Sequence, residues 1–264
     1  MKCTVLGGHG FIGKHLVRYL ESVRCDVWVP ERDDPNLLLQ PLGQVFYCIG
    51  LTADFRTRPF DTVRAHVSVL SELLEHASFD GFVYLSSTRV YARSDDTRED
   101  AALTVLPQDP SDLYNISKLL GESLCRSVVR PGVKIARLSN VIGSQMGDDS
   151  FVGAVLKEAR SGAIHLKTHP DSAKDYILID DVVRLLLLIA RDGRESVYNV
   201  ASGVQIKHGQ WLSSFQDIFG CAVEAVNHSA SQSFPVINVD RIKTEFTFEA
   251  AIILDTLPQL VKSL

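Results

Sequence analysis

The chain has 264 residues, enough for one large α/β domain or for a cofactor-binding domain with a small second lobe. Its 45% hydrophobic and 22% charged residues are typical of a folded globular protein and argue against a mostly disordered chain. The formal net charge is -5 and no stripe of lysines and arginines stands out, so nucleic acid is not an expected partner.

The cysteine and hydropathy patterns indicate a cytoplasmic protein without a membrane partner. The five cysteines are scattered and form no C-x-x-C pair, which predicts buried thiols in a reducing compartment and no metal site. Residues 4–6 already form a predicted strand that runs into a glycine turn, so no signal peptide is expected. The most apolar run, residues 182–190, contains Arg184 and is too short to span a bilayer.

Predicted strands and helices alternate along most of the chain. Strands are predicted at residues 2–6, 26–29, 45–49, 82–85, 133–138, 176–179 and 197–200, and helices at 14–22, 61–77, 112–129, 149–161, 182–190, 211–219 and 252–264. This alternation predicts a Rossmann-type, doubly wound α/β fold, in which a parallel sheet is covered by helices on both faces. We expect residues 1–141 to form the dinucleotide-binding domain, with 174–202 returning to it. Residues 142–173 and 203–264 are expected to form a small C-terminal substrate-binding lobe.

The first predicted strand runs directly into a glycine turn. Gly7, Gly10 and Gly13 have the spacing G-x-x-G-x-x-G between this strand and the following helix. Gly7 allows the tight turn, Gly10 lets the backbone approach a pyrophosphate, and Gly13 lets helix and sheet pack closely. The amides at the helix start, at Phe11 and Ile12, then face the phosphates. The segment therefore predicts an NAD(P) site.

Two charged residues follow the second predicted strand, where a dinucleotide-binding fold contacts the adenosine ribose. Glu31 is placed to accept hydrogen bonds from the ribose hydroxyls, which favours NAD. Arg32 follows directly, and an arginine there can hold the 2′-phosphate of NADP instead. The sequence leans towards NAD because the carboxylate comes first, and it leaves NADP open.

A tyrosine and a lysine share one face of the helix predicted at residues 112–129. Tyr114 and Lys118 are four residues apart, while Ile116 and Leu120 lie on the other side of the helix. A phenol has a reference pKa of about 10, and a neighbouring cation favours its phenolate. Tyr114 can then take a proton from an alcohol while a hydride leaves for the cofactor.

Hydroxyl side chains follow the strand predicted at residues 82–85. Ser86, Ser87 and Thr88 end this strand at the carboxyl edge of the predicted sheet, where α/β folds bind their ligands. We expect a hydroxyl of this group to bind the substrate oxygen beside Tyr114.

Six segments carry a resemblance to a known family. In chain order they are G-G-H-G-F-I-G (residues 7–13), S-S-T-R-V-Y (86–91), Y-N-I-S-K (114–118), R-L-S-N-V-I-G (137–143), D-Y-I-L-I-D-D-V (175–182) and Y-N-V-A-S-G (198–203). Together they resemble the NAD-dependent epimerase/dehydratase branch of the extended short-chain dehydrogenases/reductases. Most members of this branch act on nucleotide-linked sugars. The resemblance implies that Ser87 is the catalytic serine, Tyr114 the acid/base and Lys118 the group that binds the nicotinamide ribose. It also implies that Asn140 contacts the substrate's diphosphate or sugar.

The chain departs from this family at two places. Dehydratase members carry Asp-Glu after the catalytic hydroxyl, whereas this chain has Thr88 and Arg89, which disfavours 4,6-dehydration. The family often has asparagine where this chain has His66. A structural histidine is favoured there over a proton relay, because His66 borders an apolar stripe.

Three functions stay open at this stage. The favoured one is a nucleotide-sugar 4-epimerase that uses bound NAD. The first alternative is a reductase of a nucleotide-linked keto-sugar with NADPH, which Arg32 favours. The second is a non-catalytic NAD(P)-binding sensor, a class that has no need of Tyr114 and Lys118.

The resemblance also implies a homodimer. Family members usually pair through two helices of each subunit, and the candidates in this chain are residues 61–77 and 112–129. Both segments have more apolar surface than one layer of sheet needs to cover. We therefore expect a two-fold dimer through these helices.

Overall fold

A sheet of six parallel strands forms the centre of this computed structural model, which describes residues 1–52, 54–130, 132–225, 230–232 and 234–263. The strands, numbered in chain order, are β1 (Lys2–Leu6), β2 (Asp26–Trp28), β3 (Gln44–Tyr47), β4 (Gly81–Ser87), β5 (Val133–Leu138), β6 (Asn140–Ile142), β7 (Ala163–Leu166), β8 (Ala173–Leu178), β9 (Val197–Val200), β10 (Gln205–Lys207) and β11 (Ala222–Ala225). The large sheet has the order β2-β1-β3-β4-β5-β9.

The strand order reverses at β1, which has β2 on one side and β3 on the other. Open parallel sheets bind ligands in the crevice beyond the carboxyl ends of the strands at such a switch point. The crevice here lies beside the glycine turn that follows β1. The segment between β2 and β3 contains one short 3-10 helix, Pro35–Leu38, and no strand, which agrees with the small number of residues in this segment.

Helices cover both faces of the large sheet, so the predicted fold class is confirmed. The helices are α1 (Phe11–Ser22), α2 (Pro59–Val63), α3 (Val69–His76), α4 (Asp112–Ser127), α5 (Phe151–Arg160), α6 (Ile179–Asp192), α7 (His208–Phe219), α8 (Asp240–Phe246) and α9 (Ile253–Ser263). Helices α1 and α6 bury apolar side chains on one face, and α3 and α4 bury theirs on the other. Apolar burial between these layers is the main stabilising term of such a fold.

A π-helical turn, Arg64–Ser68, joins α2 to α3. The helix predicted at residues 61–77 is therefore interrupted in its regular turn, because a π turn winds one more residue than an α turn. The predicted stripe shifts accordingly: Val63 is exposed and Val67 half-buried, while Thr62 and His66 are buried.

A second group of elements has its own apolar core. Strands β6, β8 and β10 form a three-stranded sheet, and β7 pairs with β11. Trp211 and Phe215 of α7 are fully buried among side chains of α5, α9 and these strands. Most of this group lies in the segments predicted to form the C-terminal lobe, and the role of that lobe in substrate binding stays a prediction.

Two parts of the predicted domain division differ from the observed packing. Strand β8 pairs with β6 and β10 and does not join the large sheet. Ile237, Val239, Ile242 and Phe248, which were assigned to the lobe, pack into the core between the large sheet and α6. These residues follow the last strand of the large sheet in the chain, and their sequence does not indicate that the segment packs back onto that sheet.

Within the described residues, no helix has both the length and the hydropathy needed to cross a membrane.

Candidate active site

The glycine turn lies between β1 and α1, as its spacing predicts. Gly7 has a φ of +75°, a conformation that favours glycine, and an added Cβ would lie 3.0 Å from the carbonyl carbon of Cys48. At Gly13 an added Cβ would lie 2.3 Å from the carbonyl oxygen of Gly7. Glycine at position 13 therefore allows α1 to approach the turn, and glycine at position 7 allows the turn to approach the backbone that follows β3.

The start of α1 fits the pyrophosphate of a dinucleotide. Helix α1 begins at Phe11, and its N-cap residue, Gly10, forms no side-chain capping hydrogen bond. The first amides of a helix have no partner within the helix, so those of Phe11 and Ile12 are suited to an anion. The side chains of Phe11 and Ile12 pack against the core below the turn.

Glu31 lies next to this turn. Its Oε1 is 3.6 Å from Nε2 of His9, and both side chains are largely exposed. The carboxylate is therefore within reach of the glycine turn, where a ribose-binding acid is required. Arg32 is also exposed.

Tyr114 is buried in the first turn of α4, with 5% of its surface exposed. Its ring lies between Phe55, at 5.4 Å between ring centres, and the edge-on ring of His66, at 5.3 Å. Burial raises the pKa of Tyr114, whereas the Ser87 hydroxyl and the positive charge of Arg89 lower it. Helix α4 packs against β4 and so brings Tyr114 towards the carboxyl end of this strand, where Ser87 lies.

Lys118 is buried one helical turn further along α4. Its Nζ donates a 2.8 Å hydrogen bond to the carbonyl oxygen of Leu85. Burial lowers the pKa of Lys118 to about 7, while the Glu122 carboxylate acts in the opposite direction. We expected Lys118 to be the cation that favours the Tyr114 phenolate. This stays a prediction: the charge of Arg89 also favours the phenolate, and Lys118 donates to the backbone of β4.

His66 is a fully buried histidine of the π-helical turn. Its Nε2 accepts a hydrogen bond from the amide of Leu51 at 3.2 Å, which places the ring proton on Nδ1. Nδ1 then donates to the Ser117 hydroxyl at 2.8 Å, and Ser117 donates to the carbonyl oxygen of Tyr114. Burial, and secondarily Lys118, lowers the pKa of His66 to about 2. His66 is therefore a neutral link between the π-helical turn and α4.

The three hydroxyl residues at the end of β4 have different surroundings. Ser87 is half-buried, and its Oγ accepts a hydrogen bond from the amide of Arg89. Thr88 is buried and donates to the carbonyl oxygen of Leu138 at 3.3 Å. Ser86 donates to Oε1 of Glu122 at 2.6 Å. The expected substrate contact of Ser86 is corrected accordingly: neighbouring residues of a strand point to opposite faces, and Ser86 points into the interior beneath α4.

Glu122 and Arg137 form a buried ion pair that the sequence analysis missed. Two hydrogen bonds of 2.9 and 2.7 Å join the guanidinium of Arg137 to the Glu122 carboxylate. Arg137 also donates to the phenol oxygen of Tyr91, which in turn donates to Asn199. The pair fixes α4 against β5, and so positions Tyr114 and Lys118. Arg137, Tyr91 and Asn199 lie inside the segments that carry the family resemblance. Their place in these segments is the sequence signal by which the ion pair and its hydrogen bonds could have been found.

Asn140 begins β6, close to the carboxyl end of β5. The residue is exposed, and its side-chain amide donates to the carbonyl oxygen of Asp175 at 2.7 Å. Two cations are not among the predicted site residues: Arg89, 5.9 Å from the centre of the Tyr114 ring, and Lys174 of β8. Each is half-buried, and the charge of Arg89 lowers the pKa of Lys174 in addition to the effect of burial. Lys174 lies on β8, far along the chain from Arg89, and only the fold brings the two close enough for their charges to interact.

Comparisons with known proteins agree with this fold. Residues 3–201 match the model of the NAD dependent epimerase/dehydratase family. GDP-6-deoxy-D-mannose reductase from Pseudomonas aeruginosa is 26% identical over 257 residues, which cover 86% of this chain and 83% of that protein. The structure of MoeE5 in complex with UDP-glucuronic acid and NAD has a TM-score of 0.84 and 21% identity, covering 100% of this chain and 98% of that chain. The structure of RMD from Pseudomonas aeruginosa complexed with NADPH has a TM-score of 0.82 and 24% identity, with the same coverage.

Proposed function

This chain belongs to the NAD-dependent epimerase/dehydratase family, and from that premise we propose that it is a nucleotide-sugar 4-epimerase that uses bound NAD. The observation that carries the proposal is the position of the Tyr114 phenol, which is buried at the start of α4 against the rings of Phe55 and His66, with the guanidinium of Arg89 5.9 Å from its ring centre. A buried phenol at the edge of the sheet where the cofactor crevice opens is suited to proton exchange with a sugar alcohol.

NAD, when bound, supplies a hydride acceptor and donor at the reacting ring carbon. Tyr114 takes the proton of the ring hydroxyl through its phenol oxygen and returns it after the resulting ketone has turned over. Ser87 holds the same sugar oxygen. Because burial raises the pKa of Tyr114, its phenolate depends on positive charge, which Arg89 supplies from the protein.

The other cofactor contacts follow the order of the chain. Gly7, Gly10 and Gly13 leave room for the pyrophosphate, and the amides of Phe11 and Ile12 bind it. Glu31 binds the adenosine ribose, which favours NAD over NADP. Lys118 binds the nicotinamide ribose. The backbone at Gly50 lies close to this lysine, because an added Cβ at Gly50 would be 3.6 Å from Nζ of Lys118.

Lys174 and Asn140 are proposed to bind the nucleotide diphosphate. Both lie on the carboxyl side of the large sheet, on β8 and β6, and the two strands pair with Asn140 opposite Tyr176. Thr88 is proposed to line the sugar site beside Ser87.

A keto-sugar reductase is the second candidate. The relative at 26% identity is a reductase, and Arg32 follows the ribose-binding position directly. Such an enzyme uses the same Tyr114 and consumes NADPH.

Cofactor content separates these two candidates. An epimerase is expected to retain NAD through purification and to invert C4 of a nucleotide sugar with no net change in the cofactor. A reductase is expected to lack a retained cofactor and to oxidise NADPH with a nucleotide-linked 4-keto sugar. Both are measured by mass spectrometry of the released cofactor and by NMR of the sugar. If the Tyr114→Phe variant kept the wild-type activity, whether epimerase or reductase, both candidates would be contradicted.

The quaternary structure is proposed to be a two-fold dimer through the outer faces of α2 and α4. Phe60 is 85% exposed, Val63 36% and Leu120 47%. Because the π-helical turn and α4 contact each other through His66 and Ser117, these apolar side chains lie on the outer side of the same helical layer. A second copy packed on this layer would bury them.

A further inference from the structure

Arg89 lies beside the reacting phenol without an acceptor for its buried nitrogen. Its guanidinium carbon is 5.9 Å from the centre of the Tyr114 ring and 5.4 Å from that of Phe55. The Nε atom is buried and has no hydrogen-bond partner among the described residues. A buried donor without an acceptor is unfavourable, so an acceptor from a ligand would stabilise this side chain.

The protein's own acidic groups near Arg89 are already neutralised. Asp109 and Asp112 are the carboxylates whose charges act on Arg89, and Arg93 forms ion pairs with both. Asp112 also accepts a hydrogen bond from the amide of Leu106. These carboxylates are therefore poor partners for Arg89.

Further positive charge surrounds Arg89. Arg56 lies 4.4 Å above the Phe55 ring, and its charge adds to the effect of burial in lowering the pKa of Arg89. Lys174 is a further cation, whose pKa is lowered by burial and then by the charge of Arg89. The site around Tyr114 is thus locally positive in a chain whose net charge is -5, which favours an anionic substrate group.

We propose that Arg89 determines substrate specificity by binding a carboxylate on the sugar ring, so that the substrate class is nucleotide-linked hexuronates. This inference rests on the proposed function. The carboxylate of a hexuronate is attached to C5, next to the reacting C4, whereas the diphosphate is attached to C1 across the ring. A guanidinium beside the phenol that serves C4 is therefore closer to the carboxylate. The planar guanidinium also matches a carboxylate with two parallel hydrogen bonds.

The first experiment compares matched nucleotide sugars on the intact protein with NAD present. Dissociation constants are measured by calorimetry for UDP-glucuronic acid against UDP-glucose and for GDP-mannuronic acid against GDP-mannose. With at least one nucleotide, the hexuronate is expected to bind about 10-fold to 100-fold more tightly than the hexose, the range for a hydrogen bond to a charged group. Equal or weaker binding of both hexuronates would overturn the proposal.

The second experiment changes the arginine. Arg89→Gln is expected to lose about 10-fold to 100-fold in hexuronate affinity and to change hexose affinity by less than about 3-fold. Arg89→Lys keeps the charge without the planar fork, so an intermediate loss is expected. Arg98→Gln is the matched control, because Arg98 is exposed and pairs with Asp96; it should leave both affinities unchanged. Thermal unfolding of all three variants checks that each is folded.

The outcomes separate this inference from the function on which it rests. Equal losses for hexuronate and hexose in both Arg89 variants would mean that Arg89 acts on the diphosphate or through Tyr114, and would overturn the inference. Turnover of hexoses with no turnover of hexuronates would overturn it and leave the epimerase or reductase function standing. If no nucleotide sugar of either kind binds or exchanges hydride, both proposals fail together.

Discussion

Lys118 Nζ donates a 2.8 Å hydrogen bond to the carbonyl oxygen of Leu85, two residues before Ser87 on the same strand. The hydrogen bond ties the middle of α4 to the end of β4. It therefore fixes the distance between the strand that carries Ser87 and the helix that carries Tyr114. It also leaves the ammonium group buried, with consequences for stability.

The stability contribution of Lys118 should depend on pH. Burial lowers its pKa from 10.5 to about 7, so between these values the unfolded chain holds a proton that the folded protein does not. The free energy of unfolding then rises with pH across this window, by up to about 1.4 kcal/mol per pH unit. Lys118→Met removes this dependence, so the stability of the wild type relative to the variant should increase between about pH 7 and about pH 10. Urea unfolding at several pH values measures it.

Lys14→Met is the control for this series, because Lys14 is exposed on α1. It should show no such change relative to the wild type. The free energy of unfolding of the wild type, relative to that of Lys118→Met, could instead stay constant or fall with rising pH. This result would show that the ammonium group is solvated in the folded protein.

Removing the phenol oxygen of Tyr114 should abolish turnover and preserve binding. Tyr114→Phe keeps the ring that packs between Phe55 and His66, so folding and NAD binding should be retained. Loss of a general acid or base should lower kcat about 10²-fold to 10⁴-fold. Tyr19→Phe removes the same atom from α1 and should keep full activity. A Tyr114→Phe enzyme within a few-fold of wild type on its substrate would remove the phenol from the mechanism.

His66 should influence acid stability rather than catalysis. Its pKa falls from 6.5 to about 2 on folding, so below about pH 6.5 the unfolded chain takes up a proton that the folded protein excludes. The wild type should therefore lose about 1.4 kcal/mol of stability per pH unit below this value relative to His66→Asn. His76→Asn, at the exposed end of the same helical segment, should not change this dependence.

Activity decides between the two roles of His66. Asparagine is the residue that the resembled family often has at this position. If His66 has a structural role, the His66→Asn variant should keep its catalytic activity. A loss of about 10²-fold in kcat for His66→Asn, with folding intact, would instead indicate a proton relay.

Local patterns in the sequence account for most of the fold. The bounds of β1, β5 and β9 agree with the predicted ones to the residue, because each is a short apolar run next to a turn. The glycine turn also follows from local chemistry, since a positive φ at Gly7 and the close approach at Gly13 have few alternatives.

Side-chain directions in the site depend on how separate elements pack, which local patterns do not contain. Ser86 and Ser87 point to opposite faces of β4 because they are neighbours on a strand, but only the position of α4 shows that Ser86 meets Glu122. Arg89 was noted only as a departure from the dehydratases. Its relation to Tyr114 depends on the 3-10 turn, Thr88–Tyr91, that follows β4. The local pattern of apolar residues around His66 likewise does not predict a π-helical turn.

Glu31 should determine the choice of cofactor. Its carboxylate lies beside the glycine turn, 3.6 Å from His9, where it can accept from ribose hydroxyls and repel a 2′-phosphate. Glu31→Ala should therefore weaken NAD binding more than NADP binding, which titration of both cofactors measures. Glu21→Ala, an exposed acid on α1, is the matched control and should change neither. Equal losses for the two cofactors in Glu31→Ala would show that the carboxylate makes no contact with the ribose.

Leu120→Glu should separate the proposed dimer. Leu120 is 47% exposed on the outer face of α4, on the side opposite to Tyr114 and Lys118, so a charge there should oppose burial against a second copy without touching the site. Sedimentation at micromolar protein should show a wild type of about twice the chain mass of 29.2 kDa and a variant of 29.2 kDa. Val204→Glu, a change of the same kind at a residue 63% exposed between β9 and β10, should remain dimeric. A wild type that sediments as a monomer would refute the dimer, and the catalytic argument would stand, because Ser87, Tyr114 and Lys118 come from one chain.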